Sequence, residues 1–537
     1  MQQYLLSLLI FTPLFAALIA LFIPSRYENS FRLLALFASF LQILVLVQLG
    51  LTYEPSHALQ FVEQKPWISL DLGSWGSLKA EYFVAIDGLN IIFVCLTIGV
   101  MFIATLSSWS IDKNVKGYFV LFLILNAAIV GTFTALDFLL FYLFFEFMLL
   151  PMFFLIGMWG GPRREYASIK FFLYTLLGSV LILIVLIGLY ISVQDPGEPG
   201  SLVHTFNLVH MSHPENFIRD SIFDPANPWR IGPLHAREWG FLLLFLGFAI
   251  KLPMVPFHTW LPDAHVEAPT AVSVVLAALL LKIGGYGFMR IAFPVFPESA
   301  MTFSWLIALF GVISILYGAL NAMASKDLKR LIAYSSVSHM GFVLLGLASL
   351  TTEGVTGAVY QMFSHGIISA LLFLIAGVLS DRTHDRIINH YSGLATRMPA
   401  YFSIVLIGFF ASMGLPGFSG FIAEIMVFLG AFKSNSVNGL IHESFAIIST
   451  LGLILGAGYY LWTIQRMFFG TFHLKGEGRM EQLTPLTIRE FTVLIPLCAA
   501  ALLFGIFPQL VLNWINPFTG QFADMIIDTG KRLTPNL

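Results

Sequence analysis

The sequence predicts an all-α integral membrane protein with about fourteen transmembrane helices. Of its 537 residues, 58% are hydrophobic and 11% are charged, whereas soluble domains carry about 25% charged residues. The apolar stretches are too long and too uniformly apolar for barrel strands, and lipid offers the backbone no hydrogen-bond partners. The net charge of −2 gives no basic surface, so nucleic acid is not expected as a partner.

The spans follow one another along the whole chain, each with about 20 apolar residues. They are predicted at 3–23, 30–51, 84–108, 117–134, 136–158, 168–192, 239–261, 270–291, 300–323, 328–347, 354–379, 399–430, 443–470 and 488–512. The first span lacks the positive n-region and the cleavage site of a signal peptide, so we expect it to be retained.

Lysine and arginine are concentrated in one set of alternate loops, which holds roughly twice as many as the other set. Basic loops stay on the inner side of a membrane, so both termini are predicted on the outer side. The two longest loops, 52–83 and 193–238, also fall on the outer side. The first contains Gly73 and Gly76 and is expected to form a small hairpin, and the second to form an irregular cap.

The seventh span is interrupted by Pro253 and Pro256, just after Lys251. A proline lacks the backbone N–H, so the carbonyls of Ala249 and Leu252 are expected to lose their helical partners. Free carbonyls at membrane depth are tolerated only inside protein or around water. Prolines also kink many transmembrane helices without a functional role, and for this span alone that explanation stays open.

The twelfth span has a similar interruption, Gly-Leu-Pro-Gly at 414–417, ahead of Glu424. The two interrupted spans lie five spans apart, which suggests a repeat unit of five spans. Because five is an odd number, the second copy of such a repeat would enter the membrane from the side opposite to the first. Spans 4–8 and 9–13 are therefore predicted to be inverted repeats with discontinuous helices 7 and 12, a plan found in transporters. The predicted parts are 1–116 (spans 1–3 with an outer loop), 117–291 and 292–470 (the two repeats), and 471–537 (span 14 and a tail).

Four ionisable residues, Glu146, Lys251, Lys282 and Glu424, lie inside apolar spans. Each costs about 2.5–3.5 kcal/mol at the bilayer centre on insertion scales, so we expect them to move protons or ions. An apolar environment disfavours a charged lysine, and a nearby carboxylate favours it. A changing distance between Lys251 and Glu146 would then load and release a proton. The alternative for this pair is a static ion pair that fixes helix packing.

Two histidines, His339 in Ser-Ser-Val-Ser-His and His365 in Phe-Ser-His-Gly, lie within spans 10 and 11. Histidine relays protons near neutral pH through either ring nitrogen. A buried histidine can equally be a hydrogen-bonded core residue, and the sequence leaves both explanations open. The neighbouring serines suit a hydrated chain, but serines also pack well between membrane helices.

A polar cluster, His258, Asp263, His265 and Glu267, follows the prolines of span 7. We expect a solvated turn and helix cap here, with a proton entrance as the alternative. A zinc site is not expected, because the spacing matches no familiar ligand pattern and no cysteine is near. The run Lys-Asp-Leu-Lys-Arg at 326–330 is expected to serve topology and helix capping.

The stretch from Lys251 to Tyr286, with His-Thr-Trp-Leu-Pro-Asp-Ala-His at 258–265, resembles the antiporter-like membrane subunits of respiratory complex I. The run Lys-Asp-Leu-Lys-Arg-Leu-Ile-Ala-Tyr-Ser-Ser-Val-Ser-His at 326–339 is equally similar to that family. The resemblance covers nearly the whole chain, and the two long outer loops, 52–83 and 193–238, are its least diagnostic parts. It implies a fourteen-helix inverted-repeat fold and proton translocation linked to quinone reduction elsewhere in the assembly.

The resemblance also assigns roles to the ionisable residues. Glu146 and Lys251 match the family's pair in spans 5 and 7, and Lys282 matches its central lysine. The remaining matches are the connecting relay, His339 and His365, and the exit-side residue, Glu424. Glutamate in span 12 indicates one particular member among three sister chains, because its sisters generally carry lysine there.

The family context sets the expected partners, cofactors and location. The partners implied are other membrane subunits of complex I, especially neighbouring antiporter-like chains, together with lipids and protons, in a bacterial inner membrane. No cofactor is expected in this chain, since Cys95 and Cys498 are far apart and form no metal-ligand spacing. NADH, flavin, iron–sulfur clusters and quinone are expected in partner subunits. A subunit of a multisubunit sodium/proton antiporter and a passive scaffold are the alternatives.

Overall fold

Long apolar helices make up most of the chain in the computed structural model, which describes residues 4–56, 58–71, 77–197, 203–475 and 483–533. Within those residues, 13 helices are long and apolar enough to cross a membrane. They are Leu5–Phe22, Glu28–Thr52, Ile91–Ser110, Val115–Thr134, Phe138–Trp159, Arg164–Ser192, Thr270–Val295, Ser304–Ala324, Leu328–Ser349, Thr352–Thr383, Ser419–Val437, Ser444–Phe468 and Ile488–Ile506. The predicted all-α membrane fold is confirmed.

Two of the predicted spans are divided into half-helices. Span 7 consists of Ala236–Lys251 and Trp260–Glu267, and span 12 of Pro399–Ser412 and Ser419–Val437. When Ala236–Lys251 is added to the 13 longer helices, all fourteen predicted spans are present in the described residues. The predicted discontinuity of helices 7 and 12 is therefore confirmed.

The backbone of the span 7 break differs from the prediction at one carbonyl. Ala249 does not lose its partner, because its carbonyl accepts from the Met254 N–H at 3.0 Å. The Ile250 carbonyl, one residue later, instead accepts from the Trp260 indole N–H at 2.9 Å. A side chain from the second half-helix thus replaces a backbone donor within the first, which satisfies a polar group that would be costly to leave unpaired at this depth.

Polar side chains fix where several spans begin. Asp137 accepts from the Leu140 N–H at 2.9 Å, Asp327 from the Arg330 N–H at 3.1 Å, and Thr351 from the Gly354 N–H at 3.2 Å. Each bond satisfies one of the free N–H groups of a helical N-terminus. The helix-capping role predicted for the 326–330 run is confirmed at Asp327.

Spans 8, 10 and 11 form the centre of the molecule. The apolar windows of Thr270–Val295, Leu328–Ser349 and Thr352–Thr383 are 100%, 94% and 100% buried, whereas that of Glu28–Thr52 is 28% buried. Span 8 contains two π-helical turns, Leu276–Leu280 and Phe288–Ala292. Such turns interrupt the regular carbonyl pairing of a helix and frequently occur at functional sites.

The two long loops lie together on one side of the bundle, which we call the hairpin side. The predicted hairpin is confirmed: Gln60–Asp71 pairs antiparallel with Ser77–Ile86, while Gly73 and Gly76 lie outside the described residues. The 193–238 loop is irregular over most of its described part, as predicted. Its short elements are Leu208–Met211, Pro214–Asn216, Arg230–Ile231 and Leu234–His235.

A C-terminal helix, Gln509–Leu533, follows span 14 in place of the predicted tail. It has one apolar face, and its buried residues recur at helical spacing. They include Val511, Leu512, Ile515, Thr519, Phe522, Ala523 and Ile526. The Thr519 hydroxyl lies 2.7 Å from that of Thr356 at the hairpin-side end of span 11.

The remaining short elements are Pro297–Thr302, Ile388–His390, Leu394–Arg397 and the strand pair Tyr391–Ser392 and His473–Leu474.

Candidate functional site

Lys251 is the last residue of the first half-helix of span 7, and its side chain is buried at 1% exposure. Its Nζ has no hydrogen-bond partner among the described residues. It lies 4.9 Å from the centre of the Phe145 ring and 5.8 Å from that of Phe171. Ring faces attract a cation, but they neither accept nor donate an exchangeable proton in the way a carboxylate or imidazole does.

Glu146 lies in span 5, next to a small irregularity that separates Phe138–Phe147 from Leu149–Trp159. Its carboxylate interacts electrostatically with Lys251 and lies beside the Ser179 hydroxyl, yet its Oε1 has no hydrogen-bond partner among the described residues. The two charged groups therefore lie near each other without a direct hydrogen bond. Among the described residues, the structure thus contains no direct hydrogen bond between this lysine and this carboxylate.

Lys282 lies in the middle of span 8 and is fully buried, at 0% exposure. Its Nζ donates to the Ala277 carbonyl at 2.5 Å and lies 2.7 Å from His365 Nδ1 on span 11. Ala277 belongs to the first π-helical turn, whose irregular backbone makes its carbonyl accessible to a side chain. A proton on Lys282 therefore has a nitrogen acceptor within direct hydrogen-bond reach.

The two predicted histidines are neighbours, with ring centres 5.3 Å apart. His339 Nδ1 lies 3.6 Å from Glu424 Oε1 and 3.3 Å from the Gln361 side-chain nitrogen. Lys282, His365, His339 and Glu424 thus form a series of neighbouring groups that runs from span 8 through spans 11 and 10 to span 12. The step from Lys282 to His365 is a hydrogen bond, and the other two steps are close approaches. Both histidines are buried, at 7% exposure or less.

The break of span 12 makes room for Glu424, which is 3% exposed. Gly414 has a φ of +68°, and a Cβ built on it would overlap Glu424 Oε2. Only glycine adopts this backbone conformation readily and also leaves space for the carboxylate. The Gly-Leu-Pro-Gly interruption therefore positions the acidic group in addition to ending the first half-helix.

A chain of hydrogen-bonded hydroxyl groups also contacts His339, and it was not predicted from the sequence. His339 Nε2 lies 3.2 Å from Ser412 Oγ, Ser412 Oγ lies 2.7 Å from Tyr460 Oη, and Tyr460 donates to Ser335 Oγ at 3.0 Å. The position of Ser412, two residues before Gly414, is a sequence signal that could have indicated it. Tyr460 in span 13 carries no such signal, because a tyrosine in a membrane helix is common.

The expected solvated turn after span 7 is wrong, because this polar cluster is mostly buried. His258, His265 and Glu267 are 3%, 0% and 6% exposed. His265 stacks on Phe373 with ring centres 4.3 Å apart, and neither of its ring nitrogens has a partner among the described residues. Asp263 is bound by Lys170 at 2.7 Å and by Arg330 at 3.3 Å.

Lys329 is a further buried cation that the sequence analysis assigned only to topology and capping. It is 3% exposed, and its Nζ donates to the Ala268 carbonyl at 3.0 Å. It interacts electrostatically with His265, which also feels the charge of Lys282. Lys329 and His265 thus lie near each other at the end of span 7, and His265 lies within electrostatic range of the central lysine.

Glycines hold the central lysine of span 8 close to the break of span 7. A Cβ on Gly284 would overlap the Phe248 carbonyl oxygen and the Leu252 nitrogen, at 2.6 and 2.7 Å. The backbones of spans 7 and 8 are therefore in contact at Gly284, which follows Lys282 by two residues. The structure places Lys251 and Lys282 on touching elements, although no hydrogen bond joins Lys251 to the Lys282–Glu424 series.

Comparison with known proteins agrees with this architecture. The family described as NADH:quinone oxidoreductase/Mrp antiporter, TM, matches residues 135–450. NADH-quinone oxidoreductase subunit M of Rhodobacter capsulatus is 41% identical over 522 residues, which cover 96% of each chain. NADH-ubiquinone oxidoreductase chain 4 of Chondrus crispus is 38% identical, covering 96% of this chain and 97% of its own.

Two solved structures have the same fold. A chain of respiratory complex I from Thermus thermophilus, solved with bound NADH, superposes with a TM-score of 0.80 at 31% identity, over 98% of this chain and all of that one. A chain of the Mrp complex from Dietzia superposes at 0.79 over 98% and 99%, but at 20% identity it shows the fold alone. From the family match, which spans more than half of the sequence, and from these near full-length relatives, the chain belongs to the NADH:quinone oxidoreductase/Mrp antiporter transmembrane family.

Proposed function

We propose that this chain is a proton-translocating membrane-arm subunit of an NADH:quinone oxidoreductase. The observation that carries the proposal is the buried series Lys282, His365, His339 and Glu424, in which each ionisable group lies beside the next. A proton relay requires ionisable groups that lie one beside the next, and ionisable groups placed inside apolar helices are costly unless they are used. The relatives from Rhodobacter capsulatus and Chondrus crispus carry the names of such an enzyme, which supports the proposal.

Each ionisable residue has a distinct role. Glu146 changes the proton affinity of Lys251 as the distance between them changes, and the absence of a direct bond between them allows that change. Lys282, His365 and His339 carry the proton between the two halves. Glu424 loads from His339 and discharges toward the outer side.

The driving force comes from partner subunits. Moving one charge against 100 mV requires about 2.3 kcal/mol, and this chain takes part in the enzyme without a redox centre of its own. NADH, flavin, iron–sulfur clusters and quinone belong to the partners, and quinone reduction there drives the transfer. Neighbouring antiporter-like chains are the direct membrane partners, with lipid around the exposed faces.

The orientation follows from the basic loops. The side opposite the hairpin carries Lys326, Arg330 and Arg386, and it faces the inside of a bacterial inner membrane. Both termini and the hairpin side then face outward. Spans 4–8 and 9–13, within 117–291 and 292–470, act as inverted repeats, which the matching breaks in spans 7 and 12 support.

Variants of the pair in spans 5 and 7 test the proposal in the intact, reconstituted complex. Lys251→Ala and Glu146→Gln should each cause a large loss of proton pumping, because the first removes a proton carrier and the second the charge that modulates it. Assembly should be largely retained. Lys433→Ala, a half-exposed lysine in a surface ion pair with Glu353, is the control and should pump normally.

Pumping is measured as acidification of proteoliposomes during NADH oxidation, normalised to assembled complex. Normal pumping by both variants would favour a passive scaffold. The alternative of a sodium/proton antiporter subunit predicts sodium-dependent exchange by an assembly that lacks redox subunits. We expect no such exchange, and pumping that requires both NADH and quinone.

A further inference from the structure

A cavity of about 380 Å³ opens on the hairpin side, above span 8. Its wall includes Asp87, Arg290, Leu136 and, from the C-terminal helix, Phe518 and Phe522. Arg290 is eight residues beyond Lys282 on the same helix. With an axial rise of about 1.5 Å per residue, the cavity wall lies about 12 Å from the level of the central lysine.

Arg290 and Asp87, which both line this cavity, form a buried ion pair in its wall. Its guanidinium lies 2.7 Å from Asp87 Oδ2, donates to Asp87 Oδ1 at 2.8 Å, and donates from Nε to the Tyr286 hydroxyl at 3.0 Å. Asp87 is 2% exposed and begins the turn that enters span 3. The pair therefore ties span 8 to the hairpin-side end of span 3.

An aromatic layer fills the space between this ion pair and Lys282. Phe133 stacks on Phe93 at 5.2 Å and meets Tyr286 edge-on at 5.3 Å, and all three side chains are 0% exposed. The Tyr286 hydroxyl and the Asn90 amide both donate to the Phe133 carbonyl, at 2.9 and 3.0 Å. These polar groups are therefore engaged with protein atoms, at the level where water would have to pass.

We propose that the Asp87–Arg290 ion pair and the Phe93, Phe133 and Tyr286 layer form a seal that prevents the proton on Lys282 from leaving directly to the hairpin side. This inference rests on the proposed proton-translocating function. Tyr286 is one helical turn beyond Lys282, so the layer covers the lysine on that side. Transfer sideways to His365, at 2.7 Å, is then the open route.

The seal has a definite consequence for coupling. If water reached Lys282 from the cavity, the lysine would exchange protons with the outer solution, and protons would flow back along the path that loads it. The Asp87–Arg290 pair, which holds its polar groups in bonds to each other, and the packed rings oppose this exchange by excluding water. The residues of the seal act by insulation, and none of them carries the transferred proton.

A polar, small residue in the layer should open the seal. Phe133→Ser removes a stacked ring and adds a hydroxyl that can bond back to its own helix, as the Thr132 and Thr134 hydroxyls already do. Phe133→Leu keeps the position apolar. Phe119→Ser is the matched control, since Phe119 is equally buried on the same span but lies near its opposite end.

The readout is the decay of an imposed pH gradient across proteoliposomes that contain the intact complex, without NADH. Phe133→Ser should increase the decay rate several-fold, and Phe133→Leu and Phe119→Ser should leave it near the wild-type rate. A wild-type decay rate in assembled Phe133→Ser complex would overturn the proposal. An equal increase in Phe119→Ser would also overturn it, because general loosening of the span would then explain the leak.

The ion pair is tested by replacing both partners, since removing one would leave a buried charge uncompensated. Asp87→Asn with Arg290→Met should also increase the decay rate. An unchanged rate would overturn the part of the seal assigned to the ion pair.

Adding Lys282→Met to Phe133→Ser separates the seal from the proposed function. Loss of the leak in the combined variant supports a route through Lys282, and persistence of the leak overturns it. Failure of the proposed function would appear differently, as normal NADH-driven pumping by Lys282→Met alone in a chain with an intact Phe133.

Discussion

Lys251 and Lys282 are both buried lysines, but their surroundings differ in a way that matters for proton transfer. Lys282 has a nitrogen acceptor at 2.7 Å, whereas Lys251 faces two aromatic rings and has no hydrogen-bond partner among the described residues. Transfer from Lys282 needs little rearrangement. Transfer to or from Lys251 needs a side-chain movement or water, which makes this residue the natural point of control.

The sequence identified the individual ionisable residues because charge in an apolar span is conspicuous. It did not indicate their neighbours. Gln361, Ser412 and Tyr460 contact the series through tertiary packing, and such residues are ordinary in membrane helices. The buried position of Lys329 is not visible in the sequence, because a lysine near a span end usually reaches the interface, whereas here it bonds to the Ala268 carbonyl.

At the same scale, Gly414→Ala should impair pumping strongly. The added Cβ would overlap Glu424 Oε2, so the carboxylate must change its position relative to His339. Gly417→Ala is the control for backbone strain, because Gly417 also has a positive φ, +97°, but no atom of the described residues lies within 4 Å of its Cβ position. An unfavourable positive φ costs about 1–3 kcal/mol for alanine at either site. Pumping per assembled complex should fall only for Gly414→Ala, and equal behaviour of the two variants would contradict this account.

At the scale of elements, the two interrupted helices were predictable and the C-terminal helix was not. Proline and glycine within an apolar run mark a break directly. Gln509–Leu533 has a single apolar face that packs on the rest of the bundle, so it lacks the uniform hydropathy that reveals a span. The hydrogen bonds at the span 7 break could not be predicted from the sequence either, because the donor to the Ile250 carbonyl is the Trp260 side chain in the next half-helix.

Trp260→Phe should destabilise the break of span 7. It removes the indole N–H that satisfies the Ile250 carbonyl, and a buried carbonyl left unpaired costs about 1–3 kcal/mol. Trp305→Phe, at a side chain that is 52% exposed, should have little effect. The measurement is the thermal midpoint for loss of this chain from the detergent-solubilised complex. Equal midpoints for the two variants would show that the indole bond is dispensable.

At the scale of the whole molecule, the number and order of the spans follow from hydropathy, but the contacts between distant loops do not. The hairpin and the 193–238 loop were each anticipated, but the ion pair between Lys79 and Asp195, at 3.1 Å, joins residues 116 positions apart. Sequence patterns describe each element separately, whereas contacts of this range depend on how the completed bundle places its loops.

This ion pair gives a pH-dependent prediction. Partial burial raises the pKa of Asp195, but the Gly197 N–H and the Lys79 ammonium outweigh it and hold the pKa below its ordinary value. The stabilisation is therefore present above about pH 4 and is lost as the pH falls further. Lys79→Met should increase hydrogen exchange in residues 203–217 at pH 7, and the difference from wild type should shrink in acid. A difference that persists unchanged in acid would contradict the assigned cause.

Proton pumping by the reconstituted complex with Lys282→Met tests the central claim most directly. Methionine keeps the length and apolar stem of the side chain but cannot carry the proton, so the connection from span 8 to His365 is broken. We predict a large fall in the number of protons translocated per NADH oxidised, with assembly retained. Wild-type pumping by fully assembled Lys282→Met complex would contradict the claim that the buried series carries the protons.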